Sequence, residues 1–294
     1  MPDVIYKRRF GDRKEGRLLR SLPAFNKFIP FVMKTRNDAN NYFQGSVEIT
    51  ETDRWLREKR AEGYAGMGML HLFIAAYVRT IAYRPGLNRF ISGQHIFARH
   101  DIEVIMVVKR TMTDESPETS VKIKFSPTDT VFDVYRKINE KIDEVRASDE
   151  NNATDRIAEN LTKMPRVVFN FVLWILRVMD YFGLIPMSLL DASPFHGSMI
   201  ITDLGSMGIA PVYHHLYNFG NLPLFLAFGA KRRAVELNEE GQPVERKYVD
   251  FNATLDERIC DGFYHAASFK YVKHLLRNPQ FLEVPPEKVE KDIF

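Results

Sequence analysis

The feature that most limits what this chain can fold into lies in its last quarter. An apolar run at residues 224–230 is followed by Asn238-Glu239-Glu240-Gly241-Gln242, a polar turn with a glycine of the kind that joins two strands. Asp261-Gly262 then opens a stretch with apolar residues at Phe263, Ala266, Ala267, Phe269, Tyr271, Val272, Leu275 and Leu276. That spacing predicts an amphipathic helix, and Asn278-Pro279 ends it. A hairpin running into such a helix fits a sheet with helices packed against it.

The rest of the chain alternates in the same way. Residues 40–50 read as a strand, with Thr50 or Thr52 capping a helix through Arg60. Residues 66–83 are strongly apolar at helical spacing and stop before Arg84-Pro85-Gly86. Residues 95–97, 103–109 and 119–124 read as strands, and Ser126-Pro127-Thr128-Asp129-Thr130 caps a helix to about Ala147. Residues 22–33 read as a short helix or arm, and residues 1–20 as a solvated basic arm. No internal repeat is evident, and the expected class is an α/β sandwich.

Composition excludes some partners. Ordinary apolar and charged fractions over 294 residues allow a sizeable core. A net charge of +3 is too small to argue for nucleic acid. Cys260 is the single cysteine, which rules out an internal disulfide and suits a reducing cytoplasm. The charged N-terminus is not followed by an apolar stretch, so no signal peptide is expected. No set of His, Cys, Asp or Glu has metal-ligand spacing, so no metal is expected. The apolar stretch at 165–190 is interrupted by Asn170, Arg177 and Asp180, whereas a membrane span needs about 20 apolar residues. Burial, between subunits or as an acyl-binding wall, is the preferred reading, and membrane contact is disfavoured.

The segment Thr254-Leu255-Asp256-Glu257-Arg258-Ile259-Cys260-Asp261-Gly262 carries a resemblance. It is similar to the active-site segment of the coenzyme A-dependent acyltransferases: the catalytic domains of dihydrolipoyl acyltransferases from 2-oxo acid dehydrogenase complexes, and chloramphenicol acetyltransferase. That segment reads His, three residues, Asp-Gly, and in the dihydrolipoyl branch Asp-His-Arg, two residues, Asp-Gly. Asp256, Arg258, Asp261 and Gly262 keep the pattern, and Glu257 stands at the histidine position. A second segment, Gly197-Ser198-Met199-Ile200-Ile201-Thr202-Asp203-Leu204-Gly205, resembles the family's Gly-rich strand. Thr202 falls on the hydroxyl that donates to the oxyanion, and Asp203 comes next. The run 224–230 resembles the strand before the last hairpin. The likeness lies mostly in the C-terminal half.

The resemblance implies a chloramphenicol acetyltransferase-like two-layer sandwich, a mixed sheet with helices on one face, forming trimers with the site between subunits. It divides the chain into an N-terminal arm at 1–35, the acyltransferase-like fold at 36–283 and a tail at 284–294. No lipoyl domain is expected ahead of it. No covalent cofactor is implied, and coenzyme A is a candidate substrate. In the dihydrolipoyl branch, trimers join into larger cages through an apolar C-terminus, which makes Ile293 and Phe294 candidate anchors.

The substitution at Glu257 bears on chemistry. Acyl transfer to a thiol needs a base, and a histidine near about 6.5 suits that task. A glutamate near about 4.3 facing a thiol near about 8.5 leaves proton transfer uphill by about 5–6 kcal/mol, unless burial raises the carboxyl. Asp203 adds negative charge where an oxyanion would form. Asp261, Arg258 and Gly262 are expected to be structural, and Glu257 to pair with an arginine. Cys260 is a candidate nucleophile, but more commonly such a thiol is a small buried hydrophobe. His214 and His215 are candidates for a substitute base, and His265 is expected to turn away from the site. The leading reading is a scaffold or cage that has kept the fold and lost catalysis. The alternative is an active acyltransferase using acyl-coenzyme A, with Glu257 as a base of raised pKa.

Overall fold

The computed structural model describes residues 8–109, 118–147 and 162–293. Strands β1 (Gly16–Leu18), β2 (Asn40–Glu48), β3 (Arg89–Ser92), β4 (His95–Arg99), β5 (Ile102–Lys109), β6 (Glu118–Phe125), β7 (Met199–Asp203), β8 (Leu224–Leu237) and β9 (Pro243–Asp256) form two sheets. Helices are α1 (Ala24–Val32), α2 (Thr50–Ala61), α3 (Met69–Tyr83), α4 (Val131–Ala147), α5 (Arg166–Phe182), α6 (Met187–Ala192) and α7 (Gly262–Arg277).

The main sheet has the order β2-β9-β8-β7-β5-β6, and the small one β1-β4-β3. In the main sheet β7 runs parallel to both β5 and β8, and the remaining pairs are antiparallel. Strand alternation sorts its side chains. Met199, Ile201, Leu224, Leu226, Phe228, Phe251 and Ala253 face the large core. There they meet Phe73, Ile74 and Phe269 from α3 and α7. Ile105, Ile200 and Phe225 face the other side, where Leu216 and Leu222 cover them. The mixed sheet with helices on one face is present as expected.

Several local expectations need correction. Neither Thr50 nor Thr52 caps α2, whose N-cap is Ile49. Thr50 Oγ1 donates to Glu48 Oε1 (3.2 Å) and accepts from Lys247 N (3.0 Å), and Thr52 Oγ1 donates to Leu276 O (2.7 Å). Both hydroxyls tie α2 to its neighbours instead. Thr130 does cap α4, exchanging hydrogen bonds with Asp133. The basic N-terminal arm is not wholly solvated, because β1 pairs with β4 and Asp12 is buried, accepting from Leu18 N and Arg20. Helix α5 is not buried within the protomer: Val167, Phe171 and Trp174 are 80%, 59% and 57% exposed. Among the described residues no helix is long and apolar enough to cross a membrane.

The tail lies on its own chain up to Ile293. Glu290 N donates to Ala82 O (2.7 Å). Asp292 makes a two-pronged salt bridge to Arg89 (2.7 and 2.5 Å), and both side chains are buried. Ile293 is 43% exposed, and Phe294 lies outside the described residues.

Candidate active site

Strand β9 stops at Asp256, and its alternation persists into the turn beyond. Asp256 and Arg258 point inward and are buried, while Glu257 between them is exposed. The Glu257 amide donates to Ala39 O (3.0 Å), which fixes the backbone against the start of β2. Among the described residues its carboxylate has no ion pair or hydrogen bond, so the expected arginine partner is not there. That arginine is occupied. Arg258 donates Nε and Nη2 to the two oxygens of Asp256 (2.7 and 2.6 Å) and Nη1 to Met33 O (3.0 Å).

A second guanidinium approaches the same carboxylate. Arg36 Nε lies 3.8 Å from Asp256 Oδ2, and its Nη1 and Nη2 donate to Tyr217 O and Ile91 O. Burial lowers Arg36 to about 10, with Asp256 partly offsetting this. Arg36 is invisible to motif reading, because it sits 220 positions from the carboxylate it faces and carries no local pattern. Asp261 is the N-cap of α7, its Oδ1 accepting from Tyr264 N (2.7 Å). Gly262 is exposed, and a methyl added there would touch nothing.

Cys260 and His265 meet each other, with Sγ 3.2 Å from Nε2. Burial pushes the thiol up and lowers the imidazole to about 4. Both are therefore neutral near pH 7, and the pair lacks the thiolate that a nucleophile needs.

Thr202 and Asp203 end β7 beside a kink in β8. Between Phe228 and Lys231 the β8–β9 register slips, leaving two residues of β8 opposite one of β9. Gly229 sits there because the 209–211 segment crosses it, and an added Cβ would lie 2.6 Å from Pro211 Cδ. Leu204 N donates to Phe228 O (2.9 Å), which docks the turn after β7 onto this kink. Asp203 Oδ1 accepts from Ser206 N (2.9 Å), so its carboxylate caps that turn. Burial raises Asp203, with the Ser206 and Gly205 amides opposing. Thr202 falls by alternation on the face of Ile200, the face opposite the large core.

Glu257 and Thr202 do not meet in one protomer. Thr202 pairs with Ala227 and Ala227 with Asn252, so two strand spacings separate β7 from β9. Glu257 lies five residues beyond Asn252. At about 4.8 Å per strand and 3.3 Å per residue the backbones are about 19 Å apart, far beyond the reach of a shared proton. His214 lies on the Thr202 face, stacked on Phe225 at 4.2 Å, and its buried Nε2 has no hydrogen-bond partner among the described residues. Burial lowers it. His215 packs edge-on against Tyr217. Among the described residues no His, Cys, Asp and Glu group could hold a metal ion.

No family model matches the sequence, and no curated protein matches it. Solved structures do. A probable dihydrolipoamide acetyltransferase from Listeria monocytogenes is 16% identical over 87% of this chain and 92% of its own, with a TM-score of 0.57. The cubic core of the pyruvate dehydrogenase multienzyme complex is 14% identical over 93% and 95%, with a TM-score of 0.58. A chloramphenicol acetyltransferase is 12% identical over 89% and 99%, with a TM-score of 0.53. This chain therefore has the fold of dihydrolipoamide acetyltransferase catalytic domains and of chloramphenicol acetyltransferase.

Proposed function

We propose that this chain is a self-assembling scaffold built on the acyltransferase fold, in which coenzyme A-dependent transfer has been lost. The observation that carries the reading is Glu257: an exposed carboxylate, without a partner among the described residues, stands where the resemblance places the catalytic histidine. The surrounding frame is intact. Asp256, Arg258 and Asp261 hold the turn through buried or capping bonds, so the architecture survives a change in the reacting group alone. The exposed apolar face of α5 and the separation of Thr202 from Glu257 suit a trimer, in which one protomer's Glu257 faces its neighbour's Thr202. A solved neighbour of this fold is a cubic core, which supports further assembly of such trimers. Exposed Ile293, followed by Phe294, is the candidate contact between trimers. The one thiol suits a cytoplasmic setting.

One observation favours the alternative of an active enzyme using acyl-coenzyme A. The Asp203 carboxylate is raised by burial and turned into backbone amides, which weakens its opposition to an oxyanion beside Thr202. The deciding experiment pairs two measurements on the purified protein. Light scattering should give a homotrimer or a multiple of three, and acetyl-coenzyme A with dihydrolipoamide should release no coenzyme A above background. A monomer at micromolar concentration sinks the scaffold reading. Turnover at ordinary enzyme rates of about 1 s⁻¹ or more sinks the loss of catalysis.

A further inference from the structure

A cleft of 390 Å³ lies between the 34–36 segment, the β3–β4 turn, the 218–220 loop and α5. It is separate from Thr202 and reaches the Glu257 turn only through Arg258 on its floor. Four cations line it. Arg36 and Arg258 are buried, while Lys34 and Arg177 are exposed at the rim. Among the described residues neither rim cation has an ion pair or a hydrogen bond.

Two carboxylates stand against these four charges. Asp256 is held by Arg258 on both oxygens and by Arg36. Asp180 lies in the wall and is turned to His196, with Oδ1 3.3 Å from Nε2. Among the described residues the cleft thus carries two positive charges in excess. Buried Arg36 also keeps an Nε–H that no hydrogen bond among the described residues satisfies. Four cations gathered in a concave, partly desolvated space repel one another, and an anion between them relieves that repulsion.

The wall is braced as well. Gln94 is the one non-glycine residue at positive φ among those described (φ 60°). It accepts from Tyr181 Oη (2.9 Å), and so joins the β3–β4 turn to α5 across the cleft.

We propose that this cleft binds a small molecule through one compact oxyanion, a phosphate or a carboxylate. Arg177 and Lys34 close on the anion from the rim, and Arg36 and Arg258 supply the positive floor. A volume of this size admits a metabolite larger than the anionic group itself. The inference does not depend on trimer formation or on the fate of catalysis.

Calorimetric titration of the full chain at low salt, with inorganic phosphate in one arm and malonate in another, tests it. Saturable binding in either arm is expected, and the tighter arm assigns the anion. Arg177→Gln and Lys34→Gln should each weaken that binding about tenfold, the equivalent of one charge-assisted contact. Both residues are exposed, so folding should survive, as circular dichroism would check. Lys270→Gln, on α7 away from the cleft, should change nothing. No saturable binding in either arm overturns the proposal. So does binding that is unchanged in the Arg177→Gln, Lys34→Gln double variant or lost equally in Lys270→Gln.

Discussion

Replacing Asp256 with alanine is the sharpest perturbation of the turn that carries Glu257. The carboxylate is 1% exposed and accepts three bonds from Arg258, while Arg36 stands 3.8 Å away. Without it, two buried guanidiniums face each other with no carboxylate in contact with them among the described residues. Breaking a buried pair by removing one partner costs about 3–5 kcal/mol. Unfolding entropy is about 2.1 cal/mol/K per residue, so 294 residues give about 0.6 kcal/mol/K. The melting temperature should therefore fall by about 5–8 °C. Glu257→Gln, one residue on but exposed and unpaired, should move it by less than about 1 °C. Differential scanning calorimetry at a single protein concentration reads both, since assembly makes the midpoint concentration-dependent. If Asp256→Ala melts within a degree of the wild type, the buried pair is not what holds this turn. A large loss in Glu257→Gln would mean that its side chain has a structural partner after all.

The same geometry sets other outcomes. His71 and His265 are both held near about 4 by burial, against about 6.5 unfolded. The unfolded chain then binds more protons between those values, so stability is full above about 6.5 and declines as pH falls toward 4. Urea midpoints from pH 7.5 to 4.5 should show that decline, and a flat profile contradicts it. Cys260 is buried with its thiol raised, so an aromatic disulfide reagent should label it no faster than the protein unfolds. Rapid native labelling would expose an open site. Glu257→His should restore a trace of acyl transfer if the frame around it is intact, and an assay at background for both proteins leaves the loss of function elsewhere in the site. Ile293→Asp should leave the minimal oligomer folded and remove any larger particle, which electron microscopy would show; cages that persist place the contact elsewhere, with α5 the first surface to probe.

The order of strands and helices was legible because it rests on local pattern. The α3 run, the capped start of α4 and the hairpin-to-α7 sequence each carry their own period or cap. What the sequence hid depends on distance along the chain. The small sheet needs Gly16–Leu18 to reach β4, about 80 residues away. Arg36 reaches Asp256 only after folding, and the cationic cleft joins five segments spread from Lys34 to Arg258. Helix α5 was legible only in part: its apolar residues form a stripe that this protomer leaves uncovered, and composition alone cannot separate a helix buried within its own protomer from one awaiting a partner. Site residues Asp256 and Arg258 were readable as a motif, but their pairing with each other rather than with Glu257 was not.

The clasp between Asp292 and Arg89 makes the last three residues unequal. Arg89 also donates to Ile259 O (3.2 Å), two residues past Glu257, so the chain end is stitched to the turn itself. Exopeptidase trimming or a recombinant truncation that takes Phe294 and Ile293 would spare this stitch. Removing one residue more would strand a buried arginine and loosen the turn from behind. A C-terminal affinity tag should therefore be appended to the intact sequence rather than substituted for its end. Truncation series that begin by deleting three residues would confuse assembly with folding.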